Sequence, residues 1–415
     1  MHVIATAGHV DHGKSTLIRA LTGTDPDRLA EEHRRGLTIT LGYCWTQWTE
    51  VGEVAFVDVP GHERFISTTL AGLGPVPAAL LVVAADDLWM PQTAEHLAAL
   101  NALGVTHGVV AITRTDVADP APAMERARAE MRGTTLQDAP MVPVSGVSGE
   151  GIDALRDALM SMVGGLEDPD RHADVRLWVD RRFSVAGAGA VVTGTLPAGR
   201  VRVGDSLAHA DGAVRVRSIQ SLDQERGEAT GVARVALALG GNTPATIDRG
   251  QPLVTPGAWL WTPTVDVRTQ AWSSASSDRS IPQQPLLYVG SAVVSVHARR
   301  LGDGLARLRL DRSLPLRVGD RVLLRDPGDR RMWGAIVLDP DPPGLRRRGA
   351  AQRRAAALAS HDGTPDAVEE VSRRGLVSRE RLRVIGVPDQ PDHETGETVV
   401  DAGGWLLDRE RAETL

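Results

Sequence analysis

Five short apolar runs punctuate the first part of the chain, at residues 2–7, 54–59, 79–85, 108–113 and 139–144. Each is nearly continuous rather than alternating, the pattern of a parallel strand covered on both faces. Between them lie stretches with helical spacing. One, at 93–103, is closed by Gly104, where a helix favours a left-handed C-cap. This succession predicts a doubly wound α/β domain over residues 1–168. The polar, turn-rich stretch 164–173 (GGLEDPDRHA) reads as a linker. Past it the texture changes: residues 174–256 and 258–341 carry short β-rich segments punctuated by Gly, Pro and Asp, which predicts two β-barrels. The run VGDSL at 203–207 echoes as VGDRV at 318–322, hinting that the barrels are related. The segment 339–344 (DPDPPG) breaks the chain again. Residues 345–415 then predict a short C-terminal α+β module, with helical patterns at 365–374 and 378–385 and a strand-like 404–407. One winged helix fits this pattern, and a small helical bundle fits nearly as well.

Composition narrows the class. Of 415 residues, 42% are hydrophobic and 24% charged, ordinary for a globular protein of about three domains. No apolar run reaches the roughly 20 residues of a membrane-spanning helix, so no membrane partner is expected. The opening MHVIATAG runs straight into the first strand and predicts no signal peptide. Cys44 is the one cysteine, which suits a reducing cytoplasm. The net charge of −7 argues against indiscriminate nucleic-acid binding but allows a local basic face. Among 46 Lys plus Arg, Lys14 is the single lysine. A chain that otherwise uses Arg keeps a compact ammonium at this position, where a planar fork would not serve.

Lys14 falls inside Gly8-His9-Val10-Asp11-His12-Gly13-Lys14-Ser15, which fits G-x-x-x-x-G-K-[ST] between the first strand and a helix. Such a loop rings an anion with backbone N–H groups at a helix N-terminus. Gly8 and Gly13 permit the backbone angles, Lys14 can reach between two phosphates, and Ser15, followed by Thr16, can ligate Mg²⁺. Asp58-Val59-Pro60-Gly61-His62 ends the next strong strand: Asp58 can hold Mg²⁺, Gly61 can offer its N–H to a terminal phosphate, and His62 stands where hydrolysis needs a group to orient water. Thr38, in the polar stretch after the first helix, can complete the metal shell in one nucleotide state and release it in the other. Thr113-Arg114-Thr115-Asp116 follows a further strand. The Asp116 carboxylate can accept two hydrogens that guanine presents and adenine does not, and Arg114 can lay its stem along the base. Ser145-Gly146-Val147 can close the base pocket. The expected cofactors are GTP or GDP and Mg²⁺.

Together these motifs resemble the translational GTPases, elongation factor Tu among them, and within that group the bacterial selenocysteine-specific elongation factors. The resemblance is carried by ATAGHVDHGKST at 5–16, RGLTITLGY at 35–43, DVPGHERF at 58–65, SGVSGEGI at 145–152 and DRRFSVAGAGAVVTGT at 180–195. It covers residues 1–345 well and 346–415 loosely. It implies a GTPase domain, two β-barrels and C-terminal winged helices. It further implies a monomer that carries selenocysteinyl-tRNA to the ribosome at a recoded UGA, with the winged helices holding an mRNA hairpin. His62 would be the catalytic histidine and Thr38 the switch threonine. Tyr43, Asp180, Arg181 and Arg234 would form an aminoacyl pocket, since cationic side chains favour a selenol's anion over Ser or Cys. The same arginines would equally serve barrel ion pairs or tRNA phosphates.

The chain also departs from the family. Thr113 replaces the usual Asn, so a tether to the phosphate loop is expected to be lost. Bulky residues at Leu88-Trp89 are expected to alter the helix that follows. The extension has room for about one winged helix rather than a tandem array. Alternatives are another GTP-dependent tRNA carrier of the Tu or initiator type, or a non-translational P-loop GTPase.

Overall fold

The computed structural model describes residues 1–26, 38–87, 89–185, 187, 189–241, 246–271, 281–329, 331–389 and 399–409. Arg35, Gly36, Leu37, Leu88, Ala186 and Ala188 of the motifs above lie outside this set. The chain divides into two compact units, the first built mainly from Met1–Leu253 and the second mainly from Val294–Leu415 with Val254–Ala271.

The first unit opens with a six-stranded sheet of β1 (His2–Gly8), β2 (Gly42–Trp48), β3 (Gly52–Asp58), β4 (Ala78–Ala84), β5 (His107–Thr113) and β6 (Met141–Pro143). The spatial order is β2-β3-β1-β4-β5-β6. The runs read from the sequence are its parallel strands; those of β1, β3, β4 and β5 are buried on both faces, with Val3, Ile4, Ala5 and Leu80 0% exposed, whereas β6 at the sheet edge is only partly buried. β2 is an addition. It is antiparallel to β3 and half-exposed at Tyr43 and Trp45, so its mixed composition showed no continuous run. Among the described residues the α-helices connecting the strands are α1 (Lys14–Thr22), α2 (Ile66–Leu73), α3 (Pro91–Leu103), α4 (Ala121–Met131) and α5 (Ile152–Gly164). α3 starts with Pro91 in its first turn, where a missing N–H costs nothing, and stops at Gly104 with φ 72°.

The same unit continues into an antiparallel sheet. Arg176–Trp178 pairs at one end of its strand order and Arg181–Val185 at the other. These are halves of one chain segment, so the sheet curls round to meet itself as a barrel. Val192, Leu237 and Leu253 fill its interior.

The second unit holds a closed six-stranded barrel running from Trp261–Ala271 to Met332–Asp339. The five-residue echo is one turn used twice. Asp205 Oδ2 accepts the Arg202 N–H at 2.7 Å and Asp320 Oδ2 accepts the Arg317 N–H at 2.8 Å, with Gly204 and Gly319 at φ 96° and 86°. After the barrel come helices Ala350–Ala357, Ala367–Arg374 and Arg379–Val384 and a three-stranded sheet of Leu376–Ser378, Val399–Ala402 and Trp405–Asp408. This is the α+β alternative, since a purely helical bundle has no such sheet.

The segment 339–344 follows the last barrel strand, which ends at Asp339, and its first residue is also an anchor. Asp339, 1% exposed, receives hydrogen bonds from Arg354, Arg373 and Arg374, the last two at 2.7 and 2.6 Å. Asp266 receives Arg307 and Arg354, both at 2.6 Å. Glu370 receives Arg373 and Arg374. A turn-rich composition marked a bend in the chain, and its acidic residue became the hub of a buried ion network.

Candidate functional site

The loop after β1 is shaped by glycines. Gly8 has φ +134°, and a Cβ there would sit 2.2 Å from the Val82 carbonyl oxygen, so only glycine fits. Gly13, at φ 84°, is the N-cap of α1. Lys14, 6% exposed, donates from Nζ to the carbonyls of His9 at 2.7 Å and Gly8 at 3.2 Å. A Cβ on Gly61 would lie 2.4 Å from Val10 N and 2.6 Å from Lys14 Nζ, so the turn after β3 presses its bare backbone onto this loop.

Three oxygens gather beside Lys14. Ser15 Oγ donates to Asp58 Oδ2 at 2.8 Å and lies 3.1 Å from Thr38 Oγ1. Thr6 Oγ1 donates to Asp58 Oδ1 at 2.6 Å and accepts the Val59 N–H at 3.2 Å. Thr6 therefore holds one carboxylate oxygen and turns the other toward Ser15. The donors are all hard oxygens, which suits Mg²⁺. Thr6 was not anticipated, because a Thr inside an apolar strand carries no signal of its own.

A cleft of about 570 Å³ opens between these groups and the ends of β5 and β6. Among its lining residues are Asp11, Gly13, Lys14, Ser15, Thr16, Thr38, Gly61, Asp86, Thr113, Arg114, Asp116, Gly146 and Val147. The loss of a tether expected at Thr113 does not occur: Thr113 Oγ1 donates to the His12 carbonyl at 2.7 Å, so a hydroxyl one atom shorter than an amide still spans the gap. Arg114 reaches back to the Asp11 carbonyl and pairs with Asp86 at 3.0 Å. Asp86 was missed because its partner lies 28 positions away. Ser145 Oγ donates to Asp116 Oδ1 at 2.6 Å and accepts the N–H groups of Val147 and Ser148, at 3.3 and 3.1 Å. One hydroxyl thus orients the carboxylate and fixes the turn beside it.

Two histidines of the loop face inward. His12, 1% exposed, accepts the Ala84 N–H on Nδ1 and lies 3.3 Å from Asp87 Oδ2 through Nε2. Burial first, then the nearby His9 and Lys14 charges, hold its pKa below the ordinary value against the pull of Asp87. Burial and Lys14 likewise depress His9. His62 stands apart from the cleft lining. Its Nδ1 accepts the Arg64 N–H at 3.2 Å and its ring tilts toward Phe65 at 6.0 Å.

A second pocket, about 220 Å³, lies within the same unit and brings together Tyr43, Arg181 and Arg234 with Thr193 and Phe183. Arg234 forks onto Asp180, which is 6% exposed, and onto Thr193 Oγ1 at 3.0 Å. Its guanidinium carbon sits 3.7 Å from the Tyr43 ring centre. Arg181 donates to the Leu41 carbonyl, with its guanidinium carbon 5.6 Å from that ring centre. Burial opposes the Arg234 charge, but Asp180 outweighs it, so the group is held above its ordinary value. Burial drives the Tyr43 phenol up and keeps it neutral. Of the uses open to these arginines, the ion pair is present in Arg234–Asp180; Arg234 lines the cavity, and Asp180 is not among its lining residues.

Comparison with known proteins agrees with this geometry. Residues 1–164 match the elongation factor Tu GTP binding domain. The chain is 38% identical over 392 residues to the selenocysteine-specific elongation factor of Escherichia coli (strain K12), covering 91% of this chain and 62% of that protein. It is 34% identical over 376 residues to that of Desulfomicrobium baculatum, covering 87% and 59%. A crystal structure of bacterial selenocysteine-specific elongation factor EF-Sec superposes with a TM-score of 0.88 at 28% identity, over 100% of this chain and 71% of that one. The chain spans about three fifths of the length of the curated relatives it matches. Along most of its length the chain is thus similar to selenocysteine-specific elongation factors, and its first 164 residues match a GTP binding domain of the elongation factor Tu type.

Proposed function

We propose that the chain binds GTP with Mg²⁺, carries selenocysteinyl-tRNA to the ribosome at recoded UGA codons, and hydrolyses GTP on decoding. The observation that carries this reading is the pairing, in one unit, of a nucleotide-sized cleft with a second pocket lined by Tyr43, Arg181 and Arg234. In the cleft, the amides of residues 9–15 and Lys14 hold the phosphates. Ser15, Thr38 and Asp58 hold the metal, which supplies charge neutralisation there. Asp116, oriented by Ser145, selects guanine. Arg114, the 145–147 turn and Thr113, tied to His12, shape the base site. His62 leaves its contact with Arg64 N to orient the attacking water. In the second pocket two cations beside a neutral phenol favour a selenolate over a neutral hydroxyl or thiol. The domains act as 1–168 for nucleotide, 174–256 for the aminoacyl end, 258–341 as second barrel and 345–415 as a winged-helix-like site for an mRNA hairpin. The whole works as a cytoplasmic monomer.

The test is retention of charged tRNAs with a non-hydrolysable GTP analogue. Selenocysteinyl-tRNA is retained in preference to seryl-tRNA on the same tRNA body. Equal retention would sink the amino-acid reading and leave a Tu-type or initiator-type carrier. No retention of any tRNA would leave a non-translational GTPase. His62→Ala slows ribosome-stimulated hydrolysis by about 10²-fold with GTP affinity intact; an unchanged rate removes His62 from catalysis.

A further inference from the structure

One buried group beside the phosphate loop has no part in the scheme above. His96, on the inward face of α3, is 2% exposed. Its Nδ1 accepts the N–H of Gly8 at 2.8 Å. Gly8 is where β1 ends and the loop begins, and at φ +134° without a side chain it has little to limit its backbone. Its carbonyl is the one that receives Lys14 Nζ at 3.2 Å. Gly8 is therefore held on its amide side by the imidazole and on its carbonyl side by the ammonium.

We propose that His96 is a positioning residue for nucleotide binding: it anchors the Gly8 amide, and through Gly8 it fixes where the phosphate loop starts and where Lys14 points. The proposal rests on the reading of the cleft as a nucleotide site. The imidazole must be neutral, because only an unprotonated nitrogen accepts a hydrogen bond. Burial, with the charges of Lys14 and His9 adding to it, pushes the His96 pKa down to about 3, so the acceptor persists throughout the physiological range. A polar core histidine could also simply be satisfied by whichever amide lay nearby. The two roles differ in what is lost with the acceptor. A packing role costs fold stability alone, whereas a positioning role costs nucleotide affinity and is restored by another acceptor at the same place.

The experiment compares the full chain with His96→Leu, which keeps volume but removes the acceptor, and with His96→Asn, whose amide oxygen sits where Nδ1 was. GDP and GTP, each with Mg²⁺, are the probes, followed by titration and by dissociation rate. His96→Leu weakens both nucleotides by about tenfold, mostly through faster dissociation, and His96→Asn returns affinity to within about threefold of the parent. Unchanged affinity in His96→Leu overturns the proposal, as does an equal loss in a folded His96→Asn. Hydrogen exchange of the Gly8 amide in the nucleotide-free parent provides a reading that needs no variant. It exchanges slowly if anchored, and exchange at the rate of an open loop also overturns the proposal. Failure of the parent itself to bind either nucleotide would instead refute the cleft assignment.

Discussion

Asp58 in the first unit and Asp339 in the second are both withdrawn from solvent, at 0% and 1% exposed, yet they are buried in opposite company. Asp58 is hydrogen-bonded to two neutral hydroxyls, Thr6 and Ser15, and sits behind Ser15, which lines the cleft. Asp339 is surrounded by the guanidinium groups of Arg354, Arg373 and Arg374. A carboxylate met by hydroxyls keeps its attraction for a further cation. One met by three guanidinium groups has spent that attraction on the fold. Asp180 stands between the two cases: it is outside the cavity's lining, but its partner Arg234 lines that cavity together with Arg181. Burial of charge alone therefore does not mark a site; what marks it is charge whose neighbours leave both space and field.

Breaking the network should give the largest effect. Asp339→Ala removes the acceptor shared by Arg354, Arg373 and Arg374, leaving Arg354 with Asp266 and the other two with Glu370, and costs the second unit about 3 kcal/mol, read by chemical denaturation, with GDP affinity unchanged. The same carboxyl also sets a pH dependence. Burial would raise its pKa, but Arg374, Arg373 and Arg354 hold it below the ordinary 3.8. A depressed folded pKa means that its contribution is present above the unfolded value and is lost as pH falls through the folded one. Acid unfolding of the second unit should thus begin only below about pH 4, and Asp339→Asn should lose this acid-dependent part of its stability.

Lys14→Arg comes next. With 6% exposure and two carbonyls within 3.2 Å, the space suits an ammonium and not a planar fork, so GTP affinity should fall by about 10²-fold in equilibrium titration. Affinity within a few-fold of the parent would mean that the lone lysine has no special standing. Asp116→Ala should reduce the preference for GTP over ATP by roughly 10- to 100-fold, measured by competition. Thr113→Val removes one hydrogen bond to the loop and should cost about 1 kcal/mol, up to tenfold in GDP affinity. A cost as large as that of Lys14→Arg would show that this tether governs the whole loop.

Contiguity explains what could be read in advance. The phosphate loop, the Asp58–His62 turn and the Ser145–Val147 turn are each a few neighbouring residues, so their chemistry is written in one place along the chain. The parallel strands were legible because burial on both faces leaves a continuous apolar run. β2 was not, because an edge strand exposed in part shows no such run. Thr113 was read as a loss because family habit names an amide there, and only the 2.7 Å distance to His12 reveals that a hydroxyl reaches.

From the sequence alone came the GTPase class, the β-rich middle and the residues proposed to meet phosphate, metal and guanine, since these depend on local backbone conformation and residue type. The tertiary structure decided the rest. It joined Asp180 to Arg234 across 54 positions, set His96 under Gly8 across 88, and made Asp339 the hub of an ion network. Such pairings depend on how strands are ordered and helices packed, and the free energy of a buried charge is set by neighbours that the linear order of residues does not name.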